Sequence, residues 1–121
     1  VLTARHRIAH GASLSILMPA WMQYMYKNRP DQYARFAKRV MHISAEEKTQ
    51  EQIIQEGIQA FAAFLKRIGT PTTLHESGVS EADFEAICDD VVKVSFGADG
   101  MLACNPPVSR ADILNILKLA Y

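Results

Sequence analysis

Ile8-Ala9-His10-Gly11-Ala12-Ser13-Leu14-Ser15-Ile16-Leu17-Met18-Pro19-Ala20-Trp21-Met22 decides the fold reading of this chain. On a helix from about His10 to Lys27, the side chains of Leu14, Ile16, Leu17, Met18, Trp21, Met22, Tyr24 and Met25 are apolar nearly all round. Such a helix is predicted to be central and buried. Pro19 removes the bond to the Ser15 carbonyl and is expected to kink the helix there. His10 stands directly before Gly11 at the mouth of this segment. An imidazole at the edge of a buried helix, with room beside it, suits metal ligation.

Working outward, Asn28-Arg29-Pro30 breaks the chain and places Pro30 to open a second helix. Its predicted stripe is Tyr33, Phe36, Ala37, Val40 and Met41. Ser44-x-x-Glu47 reads as a capping box for a third helix with a buried face of Ile54, Ile58, Phe61, Leu65 and Ile68. Gly69 and Pro71 stop that helix. A fourth starts near Ser80, with Asp83 three residues on, and buries Phe84, Ile87, Cys88 and Val91. An irregular loop from Ser95 to Pro107 follows, and Ser109 caps a last helix carrying Ile113, Ile116, Leu117 and Ala120. No alternating run is long enough for a strand. The expected fold is all-α, with about five helices packed around Leu14–Met25.

Composition removes several function classes. The 121 residues fit one domain with one hydrophobic core, and 49% apolar against 21% charged residues is ordinary for a globular protein. Thirteen basic and thirteen acidic residues cancel, leaving no electrostatic footprint for nucleic acid or an anionic membrane. The longest apolar run, Leu14 to Met22, falls short of the roughly 20 residues a membrane span needs. Cys88 and Cys104 form no C-x-x-C pair, so two free thiols in a reducing cytoplasm are expected, with one disulfide left open. No phosphate-cradling G-x-G-x-x-G or Walker loop is present. The chain opens at Val1 without methionine or a capping signal, and is read as a piece of a longer protein.

His-Gly-Ala, an aliphatic run, Pro19-Ala20-Trp21-Met22 and then Tyr26-Lys27 resemble the iron-containing (group III) alcohol dehydrogenases, and within them the butanol dehydrogenases. The resemblance continues through Tyr33-Ala34-Arg35-Phe36-Ala37-Lys38-Arg39-Val40 and Gly57-Ile58-Gln59-Ala60-Phe61. It then runs from Phe64 into Ile68-Gly69-Thr70-Pro71-Thr72-Thr73-Leu74, and ends in the closing helix Ser109 to Ala120. Segments in the right order over almost the whole chain are specific, whereas the Gly-Pro-Leu piece alone would be weak.

The resemblance implies that residues 1–121 form the helical, carboxy-terminal domain of a metal-dependent dehydrogenase. Such an enzyme exchanges a hydride between a small alcohol or aldehyde and NAD(H) or NADP(H). It implies iron(II), with zinc the other candidate, held by one aspartate and three histidines, and His10 matches the last of these ligands. The ligand before it lies about fourteen residues earlier, nearly four helical turns away and on the same face, which places it upstream of Val1. The aspartate and first histidine lie further upstream, as does an amino-terminal nucleotide-binding domain with a Gly-rich turn. That domain is the expected partner; self-association is left open, and neither nucleic acid nor membrane is expected. The fragment alone is expected to be inactive. The rival reading is a non-catalytic helical interaction module.

Other candidates carry less. On the residues alone, a single histidine beside a buried helix is more often structural, and it is the resemblance that makes His10 a ligand. His6 lies four residues before His10 and would share its helical face if that stretch were helical. The family's ligand pattern does not use that position, so His6 is read as a surface histidine or a neighbour of the site. His42 and His75 are read as surface residues. Cys104 directly precedes Asn105, whereas some family members place a cysteine four residues before that Asn, where this chain has Met101. With no charged residue close in sequence, Cys104 is read as an inert thiol. Trp21, Tyr24, Tyr26 and Phe61 are read as core rather than as a substrate pocket.

Overall fold

The computed structural model describes all residues, 1–121, and its regular elements are all helices. Six helices follow one another: α1 (Leu2–His6), α2 (His10–Met25), α3 (Pro30–Arg39), α4 (Gln50–Arg67), α5 (Phe84–Ser95) and α6 (Arg110–Leu119). Short 3-10 turns occupy Tyr26–Asn28, His75–Ser77 and Glu81–Asp83. The sheet-like pairings are isolated bridges, Phe96 with Leu102 and Leu102 with Val108, which fold the loop before α6 back on itself.

Local chemistry explains most boundaries. Pro30 opens α3 at its first turn, where the missing N–H has no intrahelical partner to lose. Ser109 caps α6 reciprocally with Asp112, and Ser80 does the same with Asp83 at the turn that leads into α5. The box that starts α4 is Thr49 with Gln52, not Ser44 with Glu47 as the sequence suggested. Glu47 takes a left-handed backbone (φ 56°), so no helix can propagate from Ser44, whose hydroxyl instead accepts from the Glu46 N–H at 3.2 Å. The helix α1 was not foreseen, because five residues carry too little periodicity to register.

The expectation of a single core is corrected. One large cluster gathers Leu2, Ile8, Ile16, Ala20 and Met25 with side chains of α5 and α6. Leu74 and Val79, from the loop after α4, plug it and are fully buried. The Leu74 N–H donates to the Ala120 carbonyl at 2.7 Å and ties that loop to the chain's end. A second, smaller cluster joins Met22 and Tyr26 to Ala34 of α3 and to Ile54 and Ile58 of α4. The α3–α4 pair can approach closely because Gly57 lies on Ala37, and a Cβ at Gly57 would sit 2.4 Å from the Ala37 Cβ. The helix α2 belongs to both clusters, so its central place is as expected.

Its complete burial is not. Leu14 and Met18 are 44% and 45% exposed, and Leu17 and Trp21 are only half-buried. Residues 14 and 18 lie on one face of α2, opposite the side that carries Ile16 and Ala20 into the core. Two further expectations move to the surface. Val40 sits just past the end of α3 and Ile68 caps α4, and both are exposed because their helices have already ended. Buried Ala34 takes the place of Val40 in the stripe of α3.

Candidate metal centre

His10 is the first residue of α2 and is exposed. Ala9 before it offers no side-chain cap, and the first turn carries no acidic residue. Gly11 beside it leaves open space, since a Cβ there would meet nothing within 4 Å. His10 also stands on the rim of a cavity of about 290 Å³ between α1, α2, α5 and α6. The walls are mainly apolar: Leu2, Leu14, Leu17, Trp21, Ile87 and Ile113 are among the residues that line it. The arrangement is an exposed imidazole beside a glycine with open space and at the edge of a largely apolar hollow.

Nothing else in the chain completes a ligand set around His10, because no group of three His, Cys, Asp or Glu side chains is placed to hold an ion. One imidazole binds a divalent transition metal weakly, so this chain can supply a single corner of a metal site. The residues present fit that part. The free space at Gly11 is where further ligands from outside these residues could approach.

The other candidates separate. α1 ends at His6, and Arg7 caps it in a left-handed conformation (φ 56°), so His6 and His10 do not share a helix face. The backbone break removes the i, i+4 pairing that the spacing suggested. The His6 Nε2 is shielded from solvent and has no hydrogen-bond partner within the chain. His42 is exposed, with its own left-handed backbone, and His75 packs edge-on against Tyr121. The two cysteines are free. Cys88 is fully buried in the main core, and burial pushes its thiol up. The Cys104 thiol lies 3.2 Å from the Pro106 carbonyl and lines a small cavity of about 200 Å³ that Trp21, Arg29 and Asn105 also reach, away from His10.

What fixes His10 in space is the anchoring of α2. Ile16 and Ala20 face the core, and the buried Ser15 hydroxyl donates to the Pro71 carbonyl at 2.7 Å. Further along, Tyr24 donates its hydroxyl to Asp112 at 2.6 Å. Asp112 also accepts from the hydroxyl and backbone N–H of Ser109, at 2.6 and 2.8 Å. The Ser109 hydrogen bond, followed by that of Tyr24, holds the Asp112 carboxyl below its ordinary value. The same carboxylate holds the Tyr24 phenol above its own. This tie was missed from the sequence, which marked Ser109 as a cap but gave Asp112 no role. α1 was missed too, and its Leu2 lines the cavity.

Comparison with known proteins completes the description. A family model described as the Fe-containing alcohol dehydrogenase family, C-terminal, matches residues 1–121. The chain is 29% identical over 117 residues, 97% of its length, to the probable NADH-dependent butanol dehydrogenase 1 of Bacillus subtilis. It is also 29% identical, over 99% of its length, to the NADH-dependent butanol dehydrogenase A of Clostridium acetobutylicum. Among solved structures, the NADH-dependent butanol dehydrogenase A of Thermotoga maritima superposes with a TM-score of 0.86 at 39% identity over 98% of this chain. An aldehyde reductase of E. coli superposes at 0.88 with 23% identity, a likeness of fold alone. The chain spans about 30% of the length of these relatives.

Proposed function

The chain belongs to the Fe-containing alcohol dehydrogenase family, as its C-terminal part, and we propose that residues 1–121 are the metal-side helical domain of an enzyme exchanging a hydride between an alcohol or aldehyde and NAD(H) or NADP(H). The observation that carries the reading is the exposed His10 on the rim of the largely apolar cavity, at the head of the open face of α2. In this reading His10 is the metal ligand that this chain contributes. The other ligands and the nucleotide-binding domain come from polypeptide outside these residues, and the protein works in the reducing cytoplasm, where its two thiols stay free.

When bound, iron(II), or zinc in its place, acts as a Lewis acid on the substrate oxygen. The work of this chain is positional. Ile16 and Ala20 seat α2 in the core, and Ser15 ties it to the loop at Pro71, so that the imidazole is presented from a fixed helix end. Leu14, Leu17 and Trp21 give the ground beside His10 an apolar surface. A nicotinamide held by the outside domain would supply the ring carbon that accepts a hydride from the carbinol carbon, with the hydroxyl proton passing to solvent. Holding those two carbons together in a dry cleft is the contribution of the protein.

The test compares the full-length protein with the 121-residue chain for aldehyde-dependent oxidation of NADH or NADPH. The full-length protein is expected to turn over and to lose activity to a chelator. The 121 residues are expected to be inactive, having one ligand and no nucleotide loop. Activity in the short chain would contradict the reading, as would a metal-replete full-length protein that turns over no alcohol or aldehyde.

A further inference from the structure

Trp21 lines two cavities of opposite character. One is the largely apolar cavity with His10 on its rim. The other is the hollow of about 200 Å³ where the turn after α2, the start of α3 and the loop before α6 meet. Arg29, Gln32, Tyr33 and Asn105 bring polar groups to this second hollow, and no Asp or Glu lines it.

Its donors are uncommitted. The ion pairs of the chain use Arg5, Lys48 and Arg110, and no carboxylate lies within ion-pair distance of Arg29. The acid closest to it in sequence, Asp31, is engaged at 2.7 Å by the Gln50 amide of α4. Tyr24 and Tyr26 donate their hydroxyls to carboxylates, whereas the half-buried Tyr33 has no partner for its own. Burial pushes the Tyr33 phenol up and the Arg29 charge acts against that rise, so the two groups are electrostatically coupled. The positive end of α3 begins at Arg29 and adds to the same field. The Cys104 thiol is already spent on the Pro106 and Leu102 carbonyls at 3.2 and 3.5 Å, and serves as wall.

A planar guanidinium beside a phenol O–H and side-chain amides is the donor set that recognises an oxyanion. We propose that this hollow is a carboxylate subsite, in which Arg29 and Tyr33 hold the far end of an aldehyde or alcohol whose reacting end lies at His10. The inference rests on the dehydrogenase reading above. A single guanidinium matches the single charge of a carboxylate better than a phosphate ester, which carries nearly two. The span sets the length of the substrate. His10 and Trp21 are eleven residues apart on α2, about 16 Å along its axis. The Trp21 side chain leans back toward His10 and shortens the gap, but a short acid still does not reach. The substrate class is therefore a medium-chain ω-oxo or ω-hydroxy carboxylate, with Trp21 as the apolar ground its methylenes cross.

The experiment gives the full-length protein ω-oxodecanoate and its methyl ester as reducible aldehydes. The acid is expected to exceed the ester in kcat/KM by at least about tenfold. Arg29→Gln should erase that advantage through KM, with kcat and the ester unchanged, and Tyr33→Phe should erase part of it. Equal kcat/KM for acid and ester in the parent would overturn the proposal, as would an Arg29→Gln variant that slows both alike. Inorganic phosphate is expected to compete with the acid. Competition with NADH or NADPH instead, with their KM raised in Arg29→Gln, would assign the hollow to a nucleotide phosphate and overturn the proposal. A protein that reduces no aldehyde at all would fail the functional reading alone. Calorimetry of decanoate on the metal-free full-length protein then decides the hollow: binding weakened at least about tenfold by Arg29→Gln supports it, and equal or absent binding overturns it.

Discussion

At its C-terminal end α2 is held by hydrogen bonds from two tyrosines, Tyr24 to Asp112 on α6 and Tyr26, in the turn that follows, to Glu51 on α4. Met22 and Met25 are buried there. At its N-terminal end the same helix has no side-chain cap, an exposed histidine, a glycine with empty space beside it and a leucine nearly half in solvent. One helix thus carries a pinned end and an open end. The difference teaches that α2 is held by its inward face and its C-terminal end rather than by its first turn. That leaves its other end free to present a ligand without carrying the fold.

Neighbouring residues on opposite faces should give the largest contrast. Ile16 is 1% exposed, and Ile16→Ala should cost about 2–5 kcal/mol in the transfer of its side chain and the cavity left behind. Leu14→Ala in the 121-residue chain should cost less than about 1 kcal/mol, since little is lost at a half-open site. Chemical denaturation of both variants measures the difference, and equal losses would erase the distinction between the faces.

Gly57→Ala tests the pinned side from another direction. The new Cβ would lie 2.4 Å from the Ala37 Cβ and 2.9 Å from its Cα, so α3 and α4 must part, at a cost of about 1–3 kcal/mol. A melting temperature unchanged by Gly57→Ala would show that the helix pair is looser than its geometry.

Tyr24→Phe removes the tie to Asp112 and should cost about 0.5–1.5 kcal/mol at neutral pH. The sign of its pH dependence follows from the depressed Asp112 carboxyl. The contribution of that group is complete above its ordinary value of about 3.8, and is lost as pH falls from there through the lowered value in the fold. Tyr24→Phe removes one of the hydrogen bonds that lower it. The variant should therefore lose less stability on acidification than the parent, which denaturation midpoints across that acid range would show.

At the open end the effect on folding should be smallest. His10→Ala removes an exposed side chain and should shift stability by no more than about 0.5 kcal/mol.

The same contrast explains what was legible in the sequence. Elements set by local chemistry could be read: Pro30 opening α3, Ser109 capping α6, Ser80 with Asp83 leading into α5, and Gly69 ending α4. The start of α4 was misplaced because Ser44-x-x-Glu47 fits the capping pattern, and only the left-handed backbone at Glu47 shows that no helix starts there. Features made by distant residues could not be read. The tie of Tyr24 to Asp112, the plug of Leu74 and the division into two clusters depend on which helices meet, and periodicity does not report that. The site was half legible. His10 stood out through its place before Gly11 and through the family likeness, and the structure puts it on a cavity. His6 looked like its partner only while the chain between them was taken as helical, and the left-handed Arg7 removes that.

Metal content of the full-length protein, measured for the parent, His10→Ala and His6→Ala after identical purification, tests the central claim most directly. The account predicts that His10→Ala loses its metal and its turnover while still folding and binding nucleotide, and that His6→Ala keeps most of both. Metal and activity retained in His10→Ala, with both lost in His6→Ala, would contradict it and move the ligand to the other side of the break at Arg7.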